Sequence, residues 1–238
     1  MTTVTAAALA VLALAGGGVL AYRAAAMSPD DPRPDAPAYG GWGPHAVGTR
    51  EASLDGDPPL ALTIWYPARG DAPGATTVRY PYELKWFVRT RALARAAGRA
   101  RRNAPAAELD GAGPVVMLSP GFALPVGGYV WLGERLASHG FVVVAPEPPE
   151  TMDVALDGFW RGVIDRPRQV GAALDWTARQ AAPGGWLAGV ADASRVAVVG
   201  HSLGGTTALA LAGARLDPAG FADLCGTPAW RDGEHAFL

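Results

Sequence analysis

Residues 195–214, RVAVVGHSLGGTTALALAGA, restrict what this chain can fold into more than any other stretch. Arg195 to Val199 form a short β-branched run of the kind a buried parallel strand needs, and Gly200 interrupts it. His201, Ser202, Leu203, Gly204 and Gly205 read as a tight turn, after which Thr206 to Ala214 continue as an Ala/Leu-rich stretch with good helix propensity. G-x-S-x-G alone arises by chance in a chain with 31 glycines, so the flanking strand and helix carry the reading. In that context the motif predicts a nucleophile elbow, with Ser202 at a strained strand-to-helix corner and its hydroxyl projecting above the sheet. Gly200 and Gly204 are expected where any Cβ would collide with a neighbouring element. The new helix points its N-terminal N–H groups, Leu203 first, at the place where an oxyanion would develop.

The 238 residues suffice for one large α/β domain, and 50% hydrophobic against 18% charged residues exclude a disordered chain. A net charge of −2 leaves no electrostatic footprint for nucleic acid. Cys225 is the single cysteine, so no intrachain disulfide can form. His45, His139, His201 and His235 are scattered without ligand spacing, so a metal site is not expected.

The N-terminus bears on location. Val4 to Tyr22 is uninterrupted apolar or small, close to the roughly 20 residues that cross a bilayer as a helix. Residues 1–26 are therefore expected to be a signal peptide or a membrane anchor, with Ala24-Ala25-Ala26 resembling a cleavage site and residues 4–22 the part that would meet a membrane. Either way the domain would be exported or tethered outside the cytoplasm. Residues 27–44, rich in Pro, Gly and Asp, read as a linker into a domain spanning 45–238.

Within that domain, His45–Leu54 and Leu60–Tyr66 read as two strands joined at Asp55-Gly56-Asp57, with Pro67 ending the second. Residues 82–102 alternate Lys85 and six arginines with Trp86, Phe87, Val88, Leu93 and alanines, and are expected to form a helix with one basic face. Pro114–Leu118 read as a strand followed by Ser119-Pro120-Gly121-Phe122, a turn placed where the backbone N–H of Phe122 would be a second oxyanion donor beside that of Leu203. Gly128–Ser138 fit a helix with Tyr129, Leu132 and Leu136 inward and Gly140 as its cap, and Phe141–Ala145 fit a buried strand. Asp165 is expected to cap a helix opening on Pro167, with Val170, Ala173, Leu174 and Ala178 on its core face. Strand and helix alternate from Val115 to Ala214, which predicts a mostly parallel sheet with helices on both faces.

Taken together, TIWYPA at 63–68, LSPGF at 118–122, LASHGFVVVAPE at 136–147, the DRP at 165–167 and VAVVGHSLGGTTALALAGA at 196–214 resemble α/β-hydrolases of the platelet-activating-factor acetylhydrolase type, also called dienelactone-hydrolase-like. The resemblance implies a serine esterase of short-acyl or lipid-like esters without metal or organic cofactor, with Ser202 the nucleophile and Leu203 and Phe122 the oxyanion donors. The chain departs from that pattern at Pro148, where a His usually follows APE, and after Ser202, which only 36 residues follow. No run in residues 215–238 reads as a buried strand, and the acid and His of a triad have no matching positions. His235 with Asp232 or Glu234 would respect the chain order of a triad but lies in a short polar tail. The expectation is thus an α/β-hydrolase fold truncated of its C-terminal strands, with an unpaired apolar edge at the elbow strand where a partner chain could pair. An active esterase and an inactive remnant, or a module completed by another chain, both remain open at this point.

Overall fold

The computed structural model describes residues 41–70, 77–86, 89–149, 156–215 and 217–226. Residues 1–26, most of the expected linker, Phe87, Val88 and the tail residues Asp232, Glu234 and His235 lie outside these. Seven strands make one mixed sheet: β1 (Ala46–Leu54), β2 (Leu60–Ala68), β3 (Thr77–Trp86), β4 (Arg89–Arg102), β5 (Gly113–Ser119), β6 (Val142–Glu147) and β7 (Ala191–Gly200), in the order β3-β4-β1-β2-β6-β5-β7. A 3-10 turn at Val126–Tyr129 leads into α1 (Val130–Ser138), and α2 (Leu156–Ala181), α3 (Leu203–Leu211) and α4 (Pro218–Cys225) follow. β6, β5 and β7 are parallel, as the strand and helix alternation after Val115 predicts, while β2 joins that half antiparallel to β6.

The central strands are apolar on both sides because the sheet is covered on both sides. In β2, Leu62, Ile64 and Tyr66 face one core with Val115, Met117, Val142 and Val144, while Trp65 faces the other with Val116, Leu118 and Val143. Continuous apolar runs are what a doubly covered strand requires. The second core is closed by α1 through Val130 and Ala137, the first by α2 through Val170 and Ala173. Each such side chain contributes about 1.5–3 kcal/mol on full burial. The chain runs from β5 through α1 to β6 on one side, then back through α2 to β7 on the other side of β5. With right-handed crossovers, that reversal puts α1 and α2 on opposite faces and opens a crevice beyond the C-terminal ends of β5 and β7.

Several local expectations are corrected. The basic stretch within 82–102 is no helix but the hairpin β3–β4, whose second strand joins the sheet at Gly48↔Arg101 and Thr49↔Arg102 of β1. Arginines at 89, 91, 95, 99 and 101 are a period of two, and the exposure follows it, with Ala97 and Arg99 exposed and Ala100 buried. Docking on the sheet overrides the helix propensity of Ala and Arg.

Pro67 does not end β2. Its carbonyl accepts from Ala107 N–H, away from β1, so its missing donor also faces away from the β1 ladder and costs no ladder bond. Nor does Asp165 cap a helix. α2 starts at Leu156 and carries Pro167 inside it, while the Asp165 carboxylate sits 3.6 Å from Arg168 on the surface. The inward face of α2 is Val170, Ala173 and Thr177, with Ala178 exposed. On α1 the buried positions are Val130, Gly133, Glu134, Ala137 and Ser138, while Leu132 and Leu136 are only half-buried. Gly140 does close α1, at φ 98°, with its N–H on Ala137 O at 3.1 Å. Residues 41–44, placed in the linker by composition, are seated on the domain: Gly43 N–H donates to Ser138 Oγ at 2.9 Å, and Trp42 lies between the guanidinium groups of Arg99 and Arg135, each 4.5 Å away.

Candidate active site

β5 and β7 run side by side with Ser119 level with Gly200, so the loops that follow them leave the sheet together. The loop after β5 turns toward α1. The one after β7 turns toward α3, which shares a groove with α2 on the opposite face. Pro120–Phe122 and Ser202 are thereby brought to the two lips of one crevice.

At the second lip, Ser202 has φ 53° and ψ −121°, a conformation sparsely populated for a residue with a Cβ and worth about 1–3 kcal/mol of strain. The corner is sharp because its glycines are in backbone contact. A Cβ on Gly200 would lie 1.9 Å from Gly204 O, and one on Gly204 would lie 2.1 Å from Ser119 O. The helix begins at once, at Leu203, so that Gly204 and Gly205 belong to its first turn and not to a separate loop as the sequence suggested. Gly205 N–H and Thr206 N–H donate to Ser202 O at 2.7 and 3.3 Å. The N–H of Leu203 stands at the first helical position, where the helix itself supplies no acceptor. Ser202 is exposed, and Leu203 buries its side chain.

On the first lip, Pro120 and Gly121 are held by side chains from both faces. Gly121 N–H donates to Tyr129 Oη at 2.9 Å, and the same oxygen lies 2.9 Å from His201 Nδ1. Burial raises the pKa of Tyr129 above its usual value, so the phenol keeps its proton and stays a neutral hydroxyl between Gly121 N–H and the His201 ring. His201 is thus turned to Tyr129. From the other face, the fully buried guanidinium of Arg166 donates to Pro120 O at 2.5 Å and reaches Gly121 O at 3.4 Å. Glu147, at the end of β6, accepts Val126 N–H at 2.7 Å and fixes the start of the 3-10 turn. Just past Phe122, Ala123 adopts φ 57°.

Ser202 and Leu203 thus follow β7 and Phe122 follows the neighbouring end of β5, and Tyr129, Arg166 and Glu147 hold the loop after β5 through contacts that the sequence does not announce. Of the remaining histidines, His139 Nε2 is paired with Gly41 O at 3.2 Å, and His45 sits beside Gly140. Among the described residues no group of three or more His, Cys, Asp or Glu side chains could hold a metal ion, and no helix is long and apolar enough to cross a membrane.

A sheet of this order, with a serine on such a corner at its reversal point, defines an α/β-hydrolase. Within that superfamily the chain belongs to the PET hydrolase-like family, whose pattern matches residues 64–228, rather than to the platelet-activating-factor acetylhydrolase type that its motifs resemble. Cutinase est1 of Thermobifida alba is 41% identical over 102 residues, 43% of this chain and 31% of that protein. The bis(hydroxyethyl) terephthalate hydrolase of Streptomyces coelicolor is 35% identical over 111 residues, 47% of this chain and 32% of that protein. The matched stretch thus spans about a third of the length of these relatives. Among solved structures, a ferulic acid esterase from Streptomyces cinnamoneus superposes with a TM-score of 0.51 at 27% identity, over 75% of this chain and 57% of that one.

Proposed function

We propose that this chain hydrolyses carboxylic esters through an acyl-enzyme on Ser202. The observation that carries the reading is the strained Ser202 corner at the end of β7, beside the loop that leaves the level end of β5. Membership of the PET hydrolase-like family, and relatives named cutinase, bis(hydroxyethyl) terephthalate hydrolase and ferulic acid esterase, favour an ester as substrate. In the reaction Ser202 Oγ attacks the ester carbonyl, and the N–H groups of Leu203 and Phe122 take the negative charge of the tetrahedral intermediate. The alcohol leaves with a proton, and water attacks the acyl-enzyme to release the acid and restore the serine. The proton transfers need a general base. His235 with Asp232 or Glu234 is the set that respects chain order, since His201 is committed to Tyr129.

Short-acyl and lipid-like esters are the substrate class, with bis(hydroxyethyl) terephthalate an aromatic diester to set beside them. A fluorophosphonate probe tests the serine directly. Labelling of the folded chain that Ser202→Ala abolishes is expected, together with a loss of p-nitrophenyl acetate hydrolysis on the order of 10³-fold or more in that variant. A folded wild-type chain that takes up no label would overturn the reading in favour of an inactive module or one completed by another chain. The apolar stretch at residues 4–22 supports export or tethering of the domain outside the cytoplasm, for which fractionation of cells expressing the full chain is the test.

A further inference from the structure

We propose that Arg166 and Tyr129 are positioning residues, a two-sided clamp that holds the Gly121–Phe122 peptide in register with Ser202. The inference rests on the ester-hydrolase reading, because it assigns the Phe122 N–H a partner in the transition state. Two adjacent peptide units are involved. The Pro120–Gly121 unit is held at both ends: its carbonyl accepts from Arg166 Nη1, and its N–H donates to Tyr129 Oη at 2.9 Å. In the Gly121–Phe122 unit the carbonyl lies 3.4 Å from Arg166 Nη2. Carbonyl and N–H point in opposite directions across a trans peptide, so drawing Gly121 O toward Arg166 turns the Phe122 N–H away from it. A cation on the carbonyl side also draws electron density from the amide and makes its N–H a stronger donor.

The two holding groups come from opposite faces of the sheet, Tyr129 from the turn before α1 and Arg166 from α2. Neither can follow the loop if it moves, since Arg166 is fully buried and Tyr129 nearly so. Tyr129 does a second thing. Its oxygen also lies 2.9 Å from Nδ1 of His201, the residue before Ser202, so a single hydroxyl ties the donor loop to the elbow. The fit is tight, for a Cβ on Gly121 would lie 2.9 Å from His201 Nδ1 and 3.3 Å from Tyr129 Oη.

Four proteins test this: wild type, Tyr129→Phe, Arg166→Lys and Arg166→Met, each with thermal unfolding as a check on folding. Amide hydrogen exchange at Gly121 reads the clamp without chemistry, and Tyr129→Phe is expected to speed it by about tenfold or more once its acceptor is gone. For p-nitrophenyl acetate, Tyr129→Phe is expected to lower kcat by about tenfold and Arg166→Met by about 10²-fold with KM within about twofold, Arg166→Lys falling between. The Ki of phenylboronic acid, which forms a tetrahedral adduct on a reactive serine, should rise in parallel with the fall in kcat. Unchanged exchange in folded Tyr129→Phe overturns the clamp. So does faster exchange with unchanged kcat and Ki. Faster exchange in a protein whose wild type neither labels with fluorophosphonate nor hydrolyses ester upholds the clamp and overturns the ester-hydrolase reading instead. Should Arg166→Met fail to fold, Arg166→Lys and Tyr129→Phe carry the test.

Discussion

The glycines around Ser202 are not equivalent, and their differences make a sharp prediction. Gly200 and Gly204 are in backbone contact at less than any Cβ can tolerate, whereas a Cβ on Gly205 would find its nearest neighbour, Gly200 O, 3.7 Å away. Gly204→Ala should therefore cost about 3 kcal/mol or more, because carbonyls of β5 cannot retreat without breaking the ladder to β7. Gly205→Ala should be neutral or stabilise by up to about 1 kcal/mol, since Ala is the better helix former in the first turn of α3. Urea unfolding of the two variants decides it, and equal losses would mean that the corner is looser than its contacts imply. The need for Gly200 and Gly204 is legible in the sequence because the motif and its strand and helix are contiguous. Tyr129 and Arg166 are not legible as site residues. Tyr129 reads as one more inward position of a helix, and its hydroxyl meets partners 8 and 72 positions away, while Arg166 meets carbonyls 45 and 46 positions away. Periodicity reports which face a residue takes, and not what its polar tip will find there.

Among the elements, the hairpin β3–β4 shows how a strand can pass for a helix. Alanine and arginine favour helix in isolation, but this segment is held as a strand by a buried carboxylate on another element. Glu134 of α1, 2% exposed, accepts the N–H groups of Arg99 and Ala100 at 2.7 and 3.0 Å and the hydroxyl of Tyr80 at 3.3 Å, and Tyr80 in turn accepts the indole N–H of Trp65 at 2.8 Å. In a helix those backbone donors would be satisfied internally. Here they are satisfied by a charge-capable side chain brought in from α1, which no local propensity records. Burial, the largest influence, pushes the Glu134 carboxyl above its ordinary value, and the three donors oppose it only in part. A carboxyl raised on folding contributes stability that is full below the ordinary value of 4.5 and is lost as the pH climbs through the folded one. In Glu134→Gln an amide N–H₂ must face a backbone N–H, which should cost about 1–3 kcal/mol at pH 4.5. The advantage of the wild type over that variant should shrink as the pH rises from there toward 8. A gap that widens over the same range, by urea unfolding at each pH, would show that the donors and not burial decide the carboxyl's charge.

At the scale of the whole molecule, the sheet has a reversal point that builds the crevice and an outer strand that builds a liability. The reversal point was legible from the order of strands and helices after Val115, because right-handed crossovers leave few ways to arrange β5, β6 and β7. In the antiparallel half the β1–β2 hairpin was legible from its turn, but the β3–β4 hairpin at the edge was not, since its pairing with β1 joins segments that the sequence reads as unrelated. β7 pairs with β5 on one side, and no described strand pairs with it on the other. Val196 and Val199 are 38% and 37% exposed on it, and Leu209 of α3 is 64% exposed nearby in the chain. Beside this edge an open groove of about 380 Å³ runs between α2 and α3, lined by Val170, Leu174, Val196, Val198, Ala208 and Leu211. Apolar side chains next to unpaired backbone donors and acceptors favour pairing of this strand with another chain, and a single charge on such a strand is the device that natural sheets use against it. Val196→Lys should therefore keep the domain monomeric at concentrations where the wild type self-associates. The cost in stability should stay within about 1 kcal/mol, because a lysine at a position this exposed can extend its ammonium into water. Sedimentation across a concentration series compares the two. Equal association of both proteins would place the contact elsewhere on the surface, and a wild type that stays monomeric throughout would mean that the outer side of β7 is already covered by part of the chain beyond the described residues.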